Sequence, residues 1–352
     1  EKGWLVERVN PDGSYALKNP KENLSKNISP NKVWSLGEIE RKNSDNLLKD
    51  NAALLEKRKL EVLEKYTTLS KRSFNSMFGN WNAIRQQNVG NCYLIASLNS
   101  LRESPHFEVL IRTSVKEVKG GWEVKIPLGS SDATPLFIGK NDLKPQLNPN
   151  YNKANKWGKV DDRKYLNPVN APKGYKILEA AFIKQVLGGE LYRYKIEGGF
   201  GHQALLSLLD NNFKKVKASG SDKVRDPRYT YMQYGESPVF NKGTELGKKK
   251  LVQFLDSYDS AKFIATANTP SSAKGDRGIF TVNGIKFATG HAYSIVNVDK
   301  FSKNVFISNP WDTSKIIQLS YEDFTEVFNQ VSAVEVKHNQ LLENLGKIQK
   351  AA

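Results

Sequence analysis

One cysteine, Cys92, stands alone among the 352 residues of this chain. A single thiol cannot form an internal disulfide framework or a multi-cysteine metal site, so an apolar core must hold the fold together. Hydrophobic residues make up 39% of the chain, which suffices for a sizeable core and argues against global disorder. At this length we expect two packed lobes or two to three small domains.

The charge balance is strongly basic, with 53 Lys and Arg against 37 Asp and Glu and a net charge of +16. Such a surface favours acidic partners or nucleic acid, and the plain alternative is a lysine-rich solvated surface. The densest runs, KKVK at 214–217 and KKK at 248–250, lack the interleaved aromatic residues of a nucleic-acid platform. We therefore expect a protein or peptide partner, with acidic ones favoured, rather than nucleic acid.

No apolar run reaches about 18 residues, so the sequence predicts no membrane-spanning helix. No secretory signal is visible at the start. Both observations leave the compartment open, and we expect a protein that is intracellular or delivered as part of a larger assembly.

The N-terminal segment, 1–75, combines two patterns. GWLVERV, the turn NPDG and SYALKNP predict a β-hairpin, and 44–70 predict one long amphipathic helix. The apolar stripe of this helix must pack against the body of the protein or against a partner. We expect the segment to serve in regulation or targeting.

The remainder of the chain predicts an α+β fold. A helix-rich segment, 76–200, precedes a β-rich segment, 201–337, and 338–352 read as a short helix or frayed tail. The apolar patterns predict helices from Cys92 and over 177–189, 202–210 and 321–328, and strands over 122–128, 263–268, 291–298 and 304–309.

The context of Cys92 points to a reactive thiol. It follows Gly90 and opens an apolar helical pattern in the stretch QQNVGNCYLIASLNSL. At a helix start, the unsatisfied N–H groups and the helix dipole favour the thiolate and should lower its pKa. The plain alternative is a small buried hydrophobic residue, the usual role of a lone cysteine.

A nucleophilic thiol needs a proton acceptor, for which histidine serves best. The four histidines show no metal-ligand spacing. His106 lies beyond the far end of the Cys92 helix, His338 lies in the C-terminal tail, and His202, which heads a helix, remains open. His291 has the better context because it opens the alternating strand HAYSIVNV. The amide of Asn309, further along, could orient the imidazole, or it could be a turn residue before proline.

Four stretches, in this order, resemble motifs of calpain-type cysteine proteases. Q-x-x-x-G-N-C-Y, from Gln86 to Tyr93, resembles the nucleophile motif. The helix pattern leading to EGGF at 197–200 resembles the segment with the substrate-binding glycines. GHAYSI at 290–295 and NPW at 309–311 resemble the histidine and asparagine motifs. The resemblance covers roughly residues 76–337.

The resemblance implies a papain-like, two-lobed fold that hydrolyses peptide bonds through an acyl-thioester without a cofactor. It makes Cys92 the nucleophile, His291 the general base, Asn309 its orienting partner and Gln86 a donor to the oxyanion beside the Cys92 N–H. It assigns substrate binding to Gly198, Gly199 and Trp311, although two glycines can also be a plain loop pair.

This chain departs from the family pattern in several positions. Asn91 and Tyr93 stand where the family usually has Asp and Trp, and Gln87 and Asp312 stand where it has glycine. None of these changes removes a group that acyl transfer needs. They bear on the shape of the cleft and on substrate preference.

Calcium is the larger departure. Animal members of the family bind it through acidic loops, whereas the matching stretches here, 76–85 and 311–320, together hold one carboxylate, that of Asp312. Calcium takes six to eight oxygens, several of them from carboxylates. We therefore expect no metal site and no dependence on calcium. If a site existed, Asp161 and Asp162, or Glu322 and Asp323, would be its place.

Two alternatives stay open. The same triad can serve another acyl transfer, such as deamidation or transamidation. A lapsed protease could also act as a binding module whose basic surface holds an anionic partner.

Overall fold

The structure is a computed structural model that describes residues 5–9, 15–19, 24–28, 67–79, 84–130, 132–155, 158–199, 201–209, 229–233, 245–270 and 278–336. The chain divides into two compact units between Lys65 and Tyr66, earlier than the predicted boundary after residue 75. None of the described helices is long and apolar enough to cross a bilayer.

The first unit holds a three-stranded antiparallel sheet of β1 (Leu5–Val9), β2 (Tyr15–Asn19) and β3 (Leu24–Ile28). The predicted hairpin is present, and β3 is a strand that the sequence pattern did not reveal. Of the predicted helix over 44–70, the part from 44 to 66 lies outside the described residues. Residues 67–70 are not helical, because the Thr68 and Leu69 N–H groups donate to the Arg112 carbonyl.

The described part of the second unit contains seven α-helices. In chain order they are α1 (Lys71–Phe78), α2 (Cys92–Glu103), α3 (Phe107–Ser114), α4 (Lys173–Val186), α5 (Gly201–Leu209), α6 (Glu245–Ser257) and α7 (Tyr321–Val327). Two short 3-10 helices span Lys140–Leu143 and Arg193–Ile196.

The main sheet of this unit has six antiparallel strands, in the order β15-β14-β13-β10-β16-β9. They are β9 (Tyr229–Gln233), β10 (Phe263–Asn268), β13 (Ala292–Asp299), β14 (Asn304–Asn309), β15 (Asp312–Ser320) and β16 (Gln330–Glu335). Smaller antiparallel sheets join β4 (Val115–Val118), β5 (Gly121–Val124) and β6 (Leu136–Gly139), β7 (Gln146–Leu147) and β8 (Tyr165–Leu166), and β11 (Ile279–Val282) and β12 (Ile285–Ala288). The fold is thus α+β, as predicted.

The six-stranded sheet carries a different apolar core on each face. Successive side chains of β10 alternate between the faces, as strand geometry requires. Ile264 packs in a cluster with α2, α4 and α5, whereas Ala265 and Ala267 pack in a second cluster with α6 and α7. Helix α5, which the sequence placed with the β-rich segment, therefore contributes to the first cluster.

The sheet face toward α2 also carries a row of buried hydroxyl groups. Four side chains lie next to one another across successive strands: Ser308, Ser294, Thr266 and Ser332. A polar row of this kind fixes the register between helix and sheet only where its hydroxyl groups find partners.

Several predicted bounds shift for local reasons. The predicted strand 122–128 ends at Val124, shortly before Pro127, which has no N–H to donate to a ladder. The predicted helix 177–189 begins at Lys173, directly after Pro172, and ends before Gly188, whose φ of 68° suits glycine. The strand expected from His291 begins at Ala292.

Candidate active site

Cys92 is the first residue of α2, as predicted, and its side chain is partly exposed. Backbone N–H groups of Ala292, Tyr93 and Cys92 itself donate to the sulfur and act to lower the thiol pKa. Burial acts in the opposite direction and is the larger effect, so the pKa of Cys92 is raised. The expectation of a lowered pKa was therefore wrong in its net direction, because desolvation outweighs the helix start.

His291 is buried, and its Nε2 lies 2.9 Å from Asn309 Oδ1. The Trp311 backbone N–H, which can only donate, points at the same Asn309 oxygen at 3.0 Å. This contact assigns the amide orientation, so Nε2 of His291 must be the donor. The remaining ring nitrogen, Nδ1, then carries a lone pair and can accept a proton.

Two aromatic side chains enclose the imidazole. The Trp311 ring lies 4.3 Å from the His291 ring, centroid to centroid, and the Tyr293 ring meets it edge-on at 5.1 Å. This enclosure removes water from the ring and lowers the pKa of His291 to about 4, partly offset by the hydrogen bond to Asn309. The imidazole is thus neutral at physiological pH.

Packing of α2 along β13 brings Cys92 and His291 together. The Ala292 N–H, next to His291 in sequence, donates to the Cys92 sulfur. Further along, the Ser294 hydroxyl donates to the Ala96 carbonyl at 2.9 Å. The four-residue step from Cys92 to Ala96 along the helix and the two-residue step from Ala292 to Ser294 along the strand cover similar lengths, about 6 to 7 Å. Both pairs of residues can therefore be in contact at once. The Cys92 thiol and the His291 imidazole therefore lie at the same end of the helix–strand pair formed by α2 and β13.

Gln86 lies beside this end of α2. Its backbone N–H donates to the Pro310 carbonyl at 2.8 Å, next to Asn309. The side-chain Nε2 of Gln86 donates to the Val89 carbonyl at 2.7 Å. This hydrogen bond uses one of the two N–H groups of the Gln86 amide. The second N–H is the one that an oxyanion could receive.

The two predicted substrate glycines adjoin the loop before Cys92. The Gly198 N–H donates to the Gly90 carbonyl at 2.7 Å, and Gly198 has φ of 79°. A Cβ on Gly199 would come within 2.7 Å of the Tyr93 ring. Glycine is therefore needed at both positions for local structure, and the Gly198 N–H is already used within the protein.

Of the other three histidines, the structure describes the side chain of His106. His106 Nε2 contacts the Ala261 carbonyl at 2.7 Å. His202 lies within α5, and His338 lies outside the described residues.

Two of the four acidic residues named as fallback calcium ligands, Asp161 and Asp323, have protein partners for their carboxylates. Both oxygens of Asp161 accept from the Arg163 guanidinium, which holds the pKa of Asp161 far below its usual range. Asp323 accepts from Ser320 at the start of α7. Within the described ranges, no group of three or more His, Cys, Asp or Glu side chains could hold a metal ion.

A buried pair next to Asn91, the residue before Cys92, was not predicted from the sequence. Glu179, in α4, and Arg193 are both fully buried, with Arg193 Nε 3.8 Å from Glu179 Oε2. Glu179 Oε1 accepts from Asn91, the residue before Cys92, at 2.8 Å. The available signal was the single carboxylate within the apolar run ILEAAFI, since such a position is costly unless paired.

No family model matches the chain, and no curated protein matches it.

Proposed function

We propose that this chain is a calpain-like cysteine endopeptidase with a papain-like, two-lobed fold. In this proposal the helical cluster supplies Cys92 and Gln86, the six-stranded sheet supplies His291 and Asn309, and substrate binds between them. One observation carries the proposal: the Ala292 N–H meets the Cys92 sulfur, beside a histidine whose Nε2 is held 2.9 Å from Asn309. A thiol at a helix start, a neutral imidazole and an orienting amide are what cysteine acyl transfer requires.

Acylation starts from a neutral thiol and a neutral imidazole, because burial raises the pKa of Cys92 and lowers that of His291. As the sulfur attacks the scissile carbonyl carbon, Nδ1 of His291 takes the thiol proton. The resulting oxyanion receives the Cys92 backbone N–H and the second N–H of Gln86. The C–N bond then breaks, the imidazolium gives its proton to the leaving amine, and an acyl-thioester remains on Cys92.

Deacylation repeats these proton transfers with water. Nδ1 of His291 removes a proton from the water that attacks the thioester carbonyl. The C–S bond breaks, the proton returns to sulfur, and the product acid leaves. Asn309 keeps Nδ1 directed at the reacting atoms through both halves because it fixes the ring by Nε2.

Substrate would lie along Gly198 and Gly199 on one side and Trp311 on the other. Because the Gly198 N–H is used by Gly90, pairing with an extended peptide would rely on the carbonyl groups and on Gly199. Half of the Trp311 surface is exposed, which leaves the indole free to contact a substrate while its ring covers His291.

Trapping of the acyl-enzyme tests this proposal. A denatured protein is incubated with the chain, the reaction is quenched in acid, and Cys92 is examined by mass spectrometry for an acyl adduct. New peptide N-termini, which leave when the C–N bond breaks, together with release of the acyl group to water as a new C-terminal carboxylate, support the peptidase. Preferential release to an added amine, or loss of ammonia without chain cleavage, would instead identify a transamidase or deamidase.

The lapsed-protease alternative has its own outcome. Absence of any adduct on Cys92, together with salt-sensitive binding to an anionic partner, would contradict the enzymatic proposal and favour a basic binding module.

A further inference from the structure

Asn91 precedes Cys92 at the N-cap position of α2, yet its side chain does not cap the helix. An N-cap asparagine ordinarily accepts, through its side-chain oxygen, a hydrogen bond from the backbone N–H two or three residues on. Here Asn91 Nδ2 donates to Glu179 Oε1 at 2.8 Å, and no described residue donates to the buried Asn91 Oδ1. The first-turn amides of α2 therefore remain free of this side chain.

These amides face the nucleophile. The backbone N–H groups of Cys92 and Tyr93 donate to the Cys92 sulfur and favour its thiolate. If the Asn91 side chain turned to cap α2, its oxygen would take the N–H of Tyr93, because the Leu94 N–H already donates to the Asn91 carbonyl at 3.0 Å. The sulfur would then lose part of the positive environment at the helix start.

Glu179 is held firmly where it meets Asn91. It is fully buried, and its other oxygen accepts the Val169 backbone N–H at 3.1 Å. Burial raises the pKa of Glu179, whereas the charge of Arg193 and the hydrogen bonds from Val169 and Asn91 act to lower it. Arg193 balances the charge and is itself anchored, because its two terminal nitrogens donate to the Lys144 and Asp142 carbonyls at 3.1 and 2.9 Å.

We infer that Glu179 is a positioning residue for Cys92: it holds the Asn91 side chain away from the helix start and so leaves the first-turn amides open to the sulfur. The inference deepens the proposed function and rests on it for the role of Cys92 in acyl transfer. Arg193 supports it by keeping the Glu179 carboxylate in place.

The plain alternative is that Glu179 and Arg193 form a buried ion pair that serves stability alone. The two accounts differ in what they predict for the thiol. A stability role changes unfolding and leaves the reactivity of a folded protein untouched, whereas the positioning role changes the rate at which Cys92 reacts.

Two substitutions of Asn91 separate the accounts. Asn91→Ser and Asn91→Ala both remove the hydrogen bond to Glu179, and they leave the ion pair in place. Serine can cap α2 and alanine cannot. The readout is the rate of alkylation by iodoacetamide, well below the unfolding temperature, which reports on Cys92 because the chain has no other cysteine. We expect Asn91→Ser to react about tenfold more slowly than Asn91→Ala.

A second pair tests Glu179 directly. Glu179→Leu frees the Asn91 side chain to cap the helix, so alkylation should slow about tenfold. Glu179→Gln can still hold Asn91 if the Asn91 amide is flipped, so this variant should react within about threefold of the wild-type rate. Adding Asn91→Ala to Glu179→Leu removes the capping group and should restore the rate to within about threefold of Asn91→Ala. A stability role predicts that alkylation of the folded protein is not slowed in Glu179→Leu and does not differ between Glu179→Leu and the double variant.

Equal alkylation of the Asn91→Ser and Asn91→Ala proteins would overturn the inference, and this pair decides even if Glu179→Leu does not fold. Peptide hydrolysis by the wild type, measured in parallel, separates the two proposals. A rate difference without hydrolysis would keep the positioning role and defeat the proposed function. Cysteine-dependent hydrolysis with equal alkylation rates would do the reverse.

Discussion

At the scale of single residues, the two hydrogen bonds to Asn309 Oδ1 decide how His291 can act. They come from the His291 ring and from the Trp311 backbone, at 2.9 and 3.0 Å. Together they fix the orientation of the amide, the tautomer of the imidazole and the angle of its ring, and they leave the Nδ1 lone pair free to accept a proton. In the proposed reaction Asn309 forms no bond to the substrate, but it determines which nitrogen of His291 accepts the proton.

The first prediction separates the base from its orienting partner. His291→Ala should lower turnover by about 10²- to 10⁴-fold, the usual worth of a general base. Asn309→Ala should lower it less, by about tenfold, because the imidazole remains but loses its fixed angle. The measurement is kcat on a peptide substrate. Asn304→Ala, in the same strand and bonded to Ser302, is the control and should keep the wild-type rate. A larger loss for Asn309→Ala than for His291→Ala would contradict the assigned roles.

The second prediction concerns acid stability. The pKa of His291 is about 4 in the folded chain and about 6.5 when unfolded, so the unfolded state binds more protons between these values. Stability should therefore fall as the pH drops from 6.5 towards 4, by about 1.4 kcal/mol per pH unit from this residue. His291→Gln should remove that part of the slope in urea unfolding. Val298→Ala, a buried control that does not titrate, should keep it. If the free energy of unfolding changed with pH equally in the wild type and in His291→Gln, the conclusion that His291 is buried as a neutral ring would be contradicted.

At the scale of elements, the contact of α2 with β13 sets the distance between the Cys92 thiol and the His291 imidazole. Its hydrogen bonds run from Ser294 to Ala96 and from Ala292 to Cys92. The two β13 side chains that face the helix, Ala292 and Ser294, are small, which allows the helix to pack against the strand. A slip of one residue along β13 would turn the opposite face of the sheet to the helix.

The third prediction uses two serines that are cross-strand neighbours on this face. Ser294→Ala removes the hydrogen bond to Ala96, so it should lower the free energy of unfolding by about 1 kcal/mol and slow turnover. Ser308→Ala should be neutral or slightly stabilising, because its buried hydroxyl has no partner within the described ranges. Chemical denaturation and kcat for both proteins check this. Similar losses in the two variants would mean that the Ser294 contact has no special role.

The sequence predicted the elements that carry the site because their signals are local. Gly90 before an apolar helix placed Cys92 at a helix start, and the alternating run after His291 predicted β13. The direction of the pKa shift of Cys92 was predicted wrongly because the shift depends on burial. Burial is set by tertiary packing, which the local sequence does not reveal. Glu179 was missed for the same reason, since its partners Asn91, Val169 and Arg193 come from three other segments. Strand β15 was missed because its outer residues alternate weakly in hydropathy.

At the scale of the whole molecule, the second unit has two apolar clusters on opposite faces of one sheet. Residues of the helical cluster and of the sheet meet through buried hydrogen bonds, as at Ser100 and Ala265. Packing of this kind can hold Cys92 and His291 in register without an ion to join acidic loops. The segment 312–320, where calcium-binding members of the family that the sequence resembles have such a loop, is the strand β15.

The fourth prediction follows for metal removal. Activity in excess EDTA should equal activity in millimolar calcium, because the site is assembled by packing between α2 and the sheet. The measurement is hydrolysis of a peptide in both buffers, with a calcium-dependent protease as the control for chelation. A tenfold higher rate with calcium, about 1.4 kcal/mol of transition-state stabilisation, would reveal a calcium site that this account lacks.

The most direct test of the account is the hydrolysis of a denatured protein by the wild type and by Cys92→Ala, followed by the appearance of new peptide N-termini. Alanine is close in size to cysteine and suits a helix start, so the variant should fold with a similar melting temperature. The account predicts new N-termini with the wild type and none above background with Cys92→Ala. Cleavage by the variant at the wild-type rate would contradict the assignment of Cys92 as the nucleophile.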